Sequence, residues 1–414
     1  MSAATQKILL HPIGSRGDIQ PLVALGQHLQ KSGYKVRVAG SPNGRSMAEQ
    51  YNLPFYPVGT DMRALLEEAR KNVSNPVRLF RYFFKIFGDL IDEQFREIQQ
   101  HIQWADKVIM GGVTFAGISV CEAYNKPFHY MVYCPQIAPS PTLGLPVIPY
   151  RMPKWFNRMA IWTFIKMFHF GAAKNINNNR KELGLPPTKD ISQVALPYKN
   201  LVFASDELIA PIPADLKPAI SSGFFYLPQE HPLPKDLCHF IDAGPPPIYV
   251  GFGSMTDPNP QKTTKMLLEA SRQANVRLVI SKGWAGLGQE SMPENTFLIE
   301  SVSHHLLFPK MSGIIHHGGA GTTAAASRSG TPQTIVPHLL DQYYWAHQVD
   351  NCKIGPKSCW KMRLTRKKLQ RIFSEMKNGD YKEEANRIGE HLRSRNGLQE
   401  AQDALEKAWQ INDS

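Results

Sequence analysis

The chain has 414 residues, 42% of them hydrophobic and 20% charged, which is enough apolar content for two domains with a core each. This size and composition exclude a small binding module, a coiled coil and a largely disordered chain. The formal net charge of +12 predicts attraction to phosphates, nucleotides, nucleic acid or anionic lipid. The five cysteines include no CxxC pair, so they indicate neither a zinc site nor a disulfide framework.

The amino-terminal residues lack the basic start, apolar run and small-residue cleavage site of a secretory signal. No run of about 18 apolar residues is uninterrupted, which argues against a transmembrane helix. An odd number of cysteines fits a reducing compartment. We therefore expect a cytoplasmic protein. If it associates with a membrane, we expect peripheral contact at the inner face.

The first forty residues predict a strand, a glycine turn, a helix and a second strand. The apolar run 7–10 leads into the turn Gly14-Ser15-Arg16-Gly17. Leu22, Leu25 and Leu29 then fall on one face of a helix, and the apolar run 34–39 follows. This is the βαβ unit of a parallel sheet, in which ligands bind at the carboxyl ends of the strands.

Further apolar runs continue this alternation in two series. The first continues through residues 107–110, 128–133 and 201–204, and the second comprises residues 248–252, 276–281, 296–300, 313–316 and 333–336. Helical spacing lies between the runs of each series. The sequence therefore predicts an α/β protein with two Rossmann-like domains, each built on a parallel sheet.

A proline-rich stretch separates the two series. Prolines at 228, 232 and 234 resist both helix and central strand, so we place a linker at residues 229–236. This division gives a first domain over 1–228 and a second over 237–390. We expect the polar helical segment 391–414 to pack back on the first domain.

Two segments of the first domain, 78–87 and 151–170, mix basic and aromatic residues without any acidic residue. Three interpretations stay open for them. They form amphipathic helices packed on the first domain, they line a hydrophobic acceptor pocket, or they bind a membrane interface whose anionic lipids attract Lys and Arg. The last two are compatible with each other.

The glycine-rich segment 313–323 predicts a phosphate site. A strand enters a turn that contains His317-Gly318-Gly319-Ala320-Gly321-Thr322, and an alanine-rich helix follows. Free N–H groups and the dipole at such a helix start bind anions, and the glycines let a diphosphate approach the backbone. The His317 ring and the Thr322 hydroxyl can add hydrogen bonds to it.

Two more turns follow predicted strands of the second domain. Asp341 and Gln342 place a carboxylate beside an amide, the groups that bind adjacent sugar hydroxyls, although Asp341 can instead cap the next helix. The turn 251–255 offers Ser254 to a phosphate.

These motifs together resemble a known family. The second domain resembles the donor-binding domain of family 1 glycosyltransferases of GT-B fold, the UDP-glycosyltransferase superfamily. Residues 14–21, GSRGDIQP, and residues 243–255 are similar to the sterol and glycolipid glucosyltransferase branch, and residues 14–21 also to the glycopeptide-antibiotic branch. The resemblance runs from Ile8 to about Gly355. It implies two Rossmann-like domains whose parallel sheets face a central cleft.

The resemblance also implies roles for individual residues. His317 contacts the α-phosphate and Thr322 the β-phosphate, and Asp341 and Gln342 hold the sugar hydroxyls. Trp284 and Val302 lie beside the base. The other implied phosphate contacts are Ser254, Gly319, Ala320 and Gly321. Plant members use a Glu for the ribose where this chain has Ala325, so no residue is assigned to the ribose.

Asp18 stands where many members of the family carry a catalytic His. An inverting transfer needs a base for the acceptor hydroxyl, and burial in a closed cleft raises the basicity of a carboxylate. We therefore expect Asp18 to be the general base; the alternative is a simple helix cap. Its orienting partner is not evident in residues 113–124.

Four neighbours of Asp18 are further candidates for contacts with acceptor or phosphate, namely His11, Ser15, Arg16 and Gly17. Arg16 either neutralises the diphosphate or pairs with Asp18, and a packed His11 is an equal alternative. No Asp-x-Asp stands where it would hold a metal ion. We expect transfer without metal or other cofactor.

The predicted function is an inverting, UDP-dependent hexosyltransferase that moves glucose from UDP-glucose to a lipophilic alcohol, such as a sterol, terpenoid, polyphenol or lipid. Apolar loops of the first domain would bind that acceptor. The alternatives are a sugar-nucleotide epimerase and a non-catalytic, membrane-associated nucleotide-sugar binder. A nucleic-acid partner is not expected, because only the net charge favours it.

Overall fold

A computed structural model describes residues 6–61, 76–148, 151–196, 198–217, 219–227, 232–253, 255–288, 292–300 and 302–413, with only the backbone described at 76–86 and 411–413. Ser254, Pro228 and residues 229–231 therefore lie outside the described residues, as do the side chains of most of the basic-aromatic segment 78–87.

The first half of the chain alternates strands and helices. Its elements are β1 Lys7–Ile13, α1 Arg16–Lys31, β2 Lys35–Gly40, α2 Arg45–Gln50, β3 Phe55–Pro57, α3 Pro76–Trp104, β4 Lys107–Gly112, α4 Gly117–Ala123, β5 Phe128–Val132, α5 Lys154–Glu182, α6 Ser192–Ala195, β6 Leu201–Phe203 and β7 Ile220–Ser221.

The second half repeats the alternation and ends in helices. Its elements are α7 Lys235–Asp242, β8 Ile248–Gly251, α8 Pro260–Ala274, β9 Leu278–Ser281, β10 Thr296–Ile299, α9 His304–Leu307, β11 Gly313–His316, α10 Ala320–Ser329, β12 Gln333–Ile335, α11 Gln342–Cys352, α12 Arg366–Asn378, α13 Lys382–Ser394 and α14 Gly397–Asp413.

The described strands form two parallel sheets. The first has the order β3-β2-β1-β4-β5-β6-β7 and the second the order β10-β9-β8-β11-β12. Chain order reverses between β1 and β4 in the first sheet and between β8 and β11 in the second. Ligands of open parallel sheets bind at such reversals, beyond the carboxyl ends of the strands. The motifs at Asp18 and His317 follow β1 and β11 and therefore lie at the two reversals.

Both faces of the first sheet are covered, which is why its strands are almost wholly apolar. Side chains of β1 alternate between two cores. Leu9 and Ile13 pack with helix α3, while Ile8 and Leu10 pack with helix α1 and with Trp409 of α14. The last helix of the chain therefore completes a core of the first domain.

Most predicted strands agree with the observed ones to within one or two residues, and β1 extends to Ile13, three residues beyond the predicted run 7–10. The short strands β3 and β7 were not predicted, because three and two residues are too few to show an apolar pattern. Helix α7 begins at Lys235 with Pro234 as its N-cap, so the helix starts inside the proposed linker 229–236. A proline at or before the first helical position costs no hydrogen bond.

None of the helices in the described ranges combines the length and the apolarity that a membrane span requires.

Candidate active site

Asp18 lies in the first turn of α1, at the carboxyl end of β1. Its Oδ2 accepts hydrogen bonds from the Ser15 backbone N–H at 2.8 Å and from the Ser15 hydroxyl at 3.2 Å. The Ser15 side chain in turn accepts from the Gly17 N–H, which makes a capping box. Helix capping and a role in the cleft are thus compatible, because the capping bonds fix the carboxylate while leaving Asp18 partly exposed.

Burial raises the pKa of Asp18 to about 6, and the hydrogen bonds from Ser15 partly oppose the increase. A carboxylate with a pKa near 6 is a better proton acceptor than a free aspartate and is still mostly ionised at pH 7. The side chain is therefore suited to remove a proton from an alcohol.

Gly14 leaves room for this carboxylate, and Gly112 leaves room for the backbone at the end of β1 beside it. A Cβ on Gly14 would lie 2.2 Å from Asp18 Oδ2, and a Cβ on Gly112 would lie 1.9 Å from the Ile13 carbonyl oxygen. Gly112 also has a φ of +81°, which side-chain-bearing residues rarely adopt. The Tyr133 hydroxyl donates to the Asp18 carbonyl oxygen at 2.8 Å. The sequence predicted no role beside Asp18 for Gly112 or Tyr133. The one local indication was the glycine pair, Gly111 and Gly112, at the end of β4.

The other candidates near Asp18 occupy different positions. Ser15, Arg16 and Gly17 are exposed at the start of α1. The Arg16 guanidinium donates to Gln20 and makes no ion pair with Asp18, and its charge helps to lower the pKa of His304 in the second domain. Arg16 therefore faces the opposite side of the cleft. His11 is fully buried and hydrogen-bonds through Nδ1 to the Ala39 carbonyl, so it is placed as a packed residue.

The glycine-rich turn 317–322, named the phosphate turn after the site that the sequence predicts, follows β11. His317 is 8% exposed, and its ring lies between two glycines: a Cβ on Gly253 would come within 2.7 Å of the ring and a Cβ on Gly319 within 2.6 Å of Nε2. Burial, with smaller effects from His316, His338 and His304, lowers the pKa of His317 to about 3. The imidazole is therefore neutral at pH 7 and can donate one hydrogen bond.

Helix α10 begins directly after this turn. Gly319 is its N-cap and makes no side-chain capping bond, and the first internal bond runs from the Thr323 N–H to the Gly319 carbonyl. The N–H groups of Ala320, Gly321 and Thr322 therefore point out of the helix start without an intrahelical acceptor. These N–H groups and the His317 ring lie together where the glycine-rich sequence predicts an anion site, and that role stays a prediction.

Asp341 is the N-cap residue of α11 but makes no capping hydrogen bond through its side chain. Burial and, second, the charge of Asp18 raise its pKa to about 7. The interaction with Asp18 brings the two motifs together, because the two carboxylates belong to different domains. The side chain of Asp341 therefore does not cap helix α11, which was the alternative role for this residue.

Gln342, the neighbour of Asp341, is 4% exposed and its amide is engaged with protein. Its Oε1 accepts from the His338 N–H at 2.8 Å and from the Leu339 N–H at 3.2 Å, and its Nε2 lies 3.1 Å from Met255 Sδ. The amide oxygen thus accepts from two backbone N–H groups, and one of the two amide N–H donors contacts Met255; the sugar-binding role of Gln342 stays a prediction.

The candidates for the base lie on the other side of the phosphate turn. Trp284 follows β9, is 48% exposed, and donates its backbone N–H to the Gly253 carbonyl at 2.9 Å. Val302 follows β10 and packs partly on the core of the second domain, as does Ala325 of α10. Within the described ranges, no group of three or more His, Cys, Asp or Glu is arranged to hold a metal ion.

Two family models cover most of the chain. Residues 8–140 match the glycosyltransferase family 28 N-terminal domain, and residues 265–407 match the erythromycin biosynthesis protein CIII-like C-terminal domain. Vancomycin aglycone glucosyltransferase of Amycolatopsis orientalis is 34% identical over 84% of this chain and 85% of that protein. The chain belongs to the GT-B glycosyltransferases.

A second relative represents the sterol branch. Sterol 3-beta-glucosyltransferase UGT80B1 of Arabidopsis thaliana is 28% identical over 97% of this chain and 68% of that protein. Among solved structures, the glycosyltransferase of kitacinnamycin superposes with a TM-score of 0.75 at 16% identity, covering 97% of this chain and 99% of that one. VinC in complex with DTDP superposes with a TM-score of 0.68 at 20% identity, covering 97% and 99%.

These findings confirm the predicted family, its sterol-like and glycopeptide-like branches, and the α/β fold with two Rossmann-like domains. The protein is thus a glycosyltransferase, a transferase of the EC 2.4.1 class. Asp18 and the turn 317–322 of this enzyme lie at the reversals of its two sheets, the position at which open parallel sheets generally bind ligands.

Proposed function

We propose that this enzyme transfers glucose from UDP-glucose to a hydroxyl of a lipophilic acceptor, with inversion at the anomeric carbon. The observation that carries the proposal is the apposition of two sites across the cleft. Ala320 at the start of α10 packs on the core that contains Leu22 of α1, which brings the second domain against the first beside Asp18. Burial chiefly, and the charge of Asp18 second, raises the pKa of Asp341, as burial and then the charge of Arg16 lower the pKa of His304. This apposition supports a base and a donor site that share one space.

In the proposed reaction the acceptor oxygen attacks the anomeric carbon while Asp18 takes the hydroxyl proton. The bond from the anomeric carbon to the diphosphate oxygen breaks, and UDP leaves with both bonding electrons. The N–H groups of residues 320–322 and the neutral His317 ring stabilise the charge that develops on the leaving oxygen. Asp341 binds hydroxyls of the sugar, and Asp18 later releases its proton to water.

Metal-independent transfer is part of the proposal, because the helix start and His317 supply positive potential where the diphosphate lies. EDTA in about tenfold excess binds any contaminating metal ions, so turnover in its presence should equal turnover without EDTA. Loss of turnover in EDTA that Mg²⁺ restores would overturn this part.

The acceptor is proposed from the first domain and from the relatives. A sterol and a glycopeptide aglycone are the acceptors that the names of two relatives give. Both present a hydroxyl on a large, rigid body with apolar surface, which suits the aromatic residues of the first domain. We therefore propose a polycyclic lipophilic alcohol.

The test is a matrix of donors and acceptors. UDP-glucose, UDP-galactose and dTDP-glucose are each incubated with sterols, triterpenoids, polyphenols and glycopeptide aglycones, and products are identified by mass spectrometry. A product formed from UDP-glucose whose anomeric proton coupling in an NMR spectrum indicates a β-glycosidic bond supports the proposal. A product only from dTDP-sugars corrects the donor, and UDP-sugar conversion without acceptor would indicate an epimerase instead.

Peripheral membrane contact is proposed through the outer face of α5. Its inner face packs on the first domain through Ile161, Ala172 and Ile176, whereas Trp155 and Trp162 are 67% and 61% exposed. Exposed basic residues accompany them, and residues 151–181 contain no acidic residue. Aromatic rings with Lys and Arg suit an anionic bilayer surface.

Flotation with vesicles measures this contact. The full chain should float with phosphatidylserine vesicles and not with phosphatidylcholine alone, and the pair Trp155→Ser with Trp162→Ser should reduce the floated fraction at least fivefold, about 1 kcal/mol. Equal flotation of the variant and the parent would argue that another surface, or none, binds lipid.

A further inference from the structure

The first turn of helix α1 carries Asp18, and two residues of this helix weaken that turn. Pro21 has no N–H, so the Gly17 carbonyl four residues earlier receives no hydrogen bond from it. Gly17 is itself a poor helix former, because a glycine loses more backbone freedom than any other residue when it is fixed. The turn that holds the proposed base therefore depends on contacts from outside the helix to keep one geometry.

Tyr133 provides such a contact from a neighbouring strand. Its hydroxyl donates to the Asp18 carbonyl oxygen at 2.8 Å, although the two residues are far apart in the chain. Tyr133 directly follows β5, is buried, and packs in the same core as Leu22 of α1. A rigid, buried side chain thus bonds to the backbone of the residue that carries the base.

Strand β4 leaves space for this hydroxyl. A Cβ on Gly111 would lie 2.7 Å from the Tyr133 hydroxyl oxygen, whereas the next atoms that it would meet lie 3.3 Å away. An alanine at this position would therefore collide first with the hydroxyl. The glycine lets the hydroxyl reach the Asp18 carbonyl past the end of β4.

A second tyrosine of β5 contacts the turn beside Asp18. The Tyr130 hydroxyl donates to the Gly112 carbonyl oxygen at the end of β4. Tyr130 packs in the core that contains residues of α3, on the face of the sheet opposite to Tyr133. Burial chiefly raises the pKa of both hydroxyls, and the negative charge of Asp18 raises it further. Both tyrosines therefore lie near this carboxylate, and Tyr133 is bonded to Asp18 itself.

We propose that Tyr133 is a positioning residue for the transfer reaction, whose hydroxyl holds the first turn of α1 so that the Asp18 carboxylate keeps one orientation in the cleft. The inference rests on the proposed function, because it takes Asp18 as the base. Tyr133 acts through the backbone of Asp18. Its loss should therefore slow the transfer and leave binding of the donor, which belongs to the second domain, intact.

Tyr133→Phe removes this hydroxyl and keeps the buried ring. Because misplacement of a reacting group slows a reaction, kcat should fall about 10- to 100-fold, while KM for UDP-glucose stays within about twofold of the parent value. Tyr34→Phe is the matched control, since it removes a buried hydroxyl that donates to Glu406 at the amino end of β2; its kcat should equal that of the parent. Steady-state kinetics measures kcat and KM, and thermal unfolding measures the stability that each variant loses.

The pH profile gives a result that a purely structural role would not change. Burial raises the pKa of Asp18 to about 6, so a looser turn that admits water lets this pKa fall toward the ordinary value of about 4. The midpoint of kcat/KM against pH should shift to lower pH by about one pH unit or more in Tyr133→Phe and stay in place in Tyr34→Phe. Tyr130 and Asp341, which also face this carboxylate, are the same in both variants.

A Tyr133→Phe enzyme with the kcat of the parent overturns the proposal, and so does a lower kcat with an unmoved midpoint. NMR titration of the Asp18 carboxyl, assigned with Asp18→Asn, tests the inference without any substrate. The pKa of this carboxyl should be lower in Tyr133→Phe than in the parent, and equal values overturn the proposal. Full activity of Asp18→Asn would instead reject the proposed base, and the titration would still decide whether Tyr133 holds this turn.

Discussion

The ionisation of Asp18 decides how the enzyme should respond to pH. The proposed base must be deprotonated, and burial raises its pKa to about 6. We expect kcat/KM to rise with pH up to about 6 and to fall about tenfold for each unit below it. A profile that stays flat between pH 5 and 7 would contradict Asp18 as the base.

Replacement of Asp18 tests the same group directly. Asp18→Asn keeps an oxygen for the Ser15 N–H and removes the proton acceptor, so kcat should fall about 10²- to 10⁴-fold with little loss of stability. Asp106→Asn is the matched control, because Asp106 also accepts from a backbone N–H, that of Lys7, but at the amino ends of β1 and β4, away from Asp18. Glycosyl transfer measures activity, and thermal unfolding checks the fold. Comparable rates for the two variants would exclude the catalytic role.

The neutral ring of His317 predicts the effect of its loss. His317→Ala should weaken UDP binding by about 10- to 100-fold, the range for a hydrogen bond to a charged group. Since the pKa of His317 is lowered to about 3, UDP affinity should not change between pH 8 and 6 through this residue. His239→Ala, at an exposed histidine of α7, is the control. Titration calorimetry at both pH values measures the two effects, and an unaffected His317→Ala protein would remove the residue from the phosphate site.

At the scale of elements, helix α14 belongs structurally to the domain at the other end of the chain. Trp409 is 2% exposed, packs edge-on against Tyr34, and donates from Nε1 to His129 Nδ1 at 3.3 Å. Tyr34 also donates to Glu406 of the same helix. The segment before α14 is anchored as well, since Arg395 pairs with the buried Asp206 at 2.6 Å.

Removal of the Trp409 side chain should therefore destabilise the first domain. Burial of an indole in a packed core predicts a loss of about 3–5 kcal/mol in the free energy of unfolding for Trp409→Ala. Lys407→Ala, at an exposed position of the same helix, should change it by less than about 0.5 kcal/mol. Urea unfolding of the full chain measures both, and equal midpoints would show that α14 does not contribute to the fold.

For the whole molecule, buried histidines set how stability depends on pH. Burial lowers the pKa of His11, His129, His304, His316, His317 and His338 to about 3 or 4, whereas in the unfolded chain these rings titrate near 6.5. Between those values the unfolded chain binds more protons, so stability is present above pH 6.5 and is lost as the pH falls toward 4.

Two carboxyls act in the opposite direction. The raised pKa values of Asp18 and Asp341, about 6 and 7, favour the folded state below pH 4 and lose that contribution as the pH rises through those values. Six histidines outweigh two acids, so Tm should decrease from pH 7 to pH 5. Calorimetry measures it, with His129→Gln expected to flatten the slope. A Tm that rises on acidification would contradict the burial of these rings.

Much of the architecture follows from local pattern. Apolar runs separated by helical spacing predicted the strands of both sheets, because a parallel strand buried on both faces must be apolar throughout. The glycine-rich turn before α10 predicts a phosphate site for a similar reason, since helix starts bind anions in any fold, and this site stays a prediction. Strands as short as β3 and β7 leave no such pattern.

The sequence by itself determined the two α/β domains, the family motifs and the positions of Asp18, His317 and Asp341 at strand ends, because strand periodicity and glycine turns are properties of neighbouring residues. Only the tertiary structure decided which of these groups meet. It placed Asp18 near enough to Asp341 to affect its pKa, paired Arg16 with Gln20, buried His11, and bonded the amide oxygen of Gln342 to two backbone N–H groups. These arrangements depend on contacts between residues that are far apart in the chain, and such contacts cannot be predicted from the local sequence.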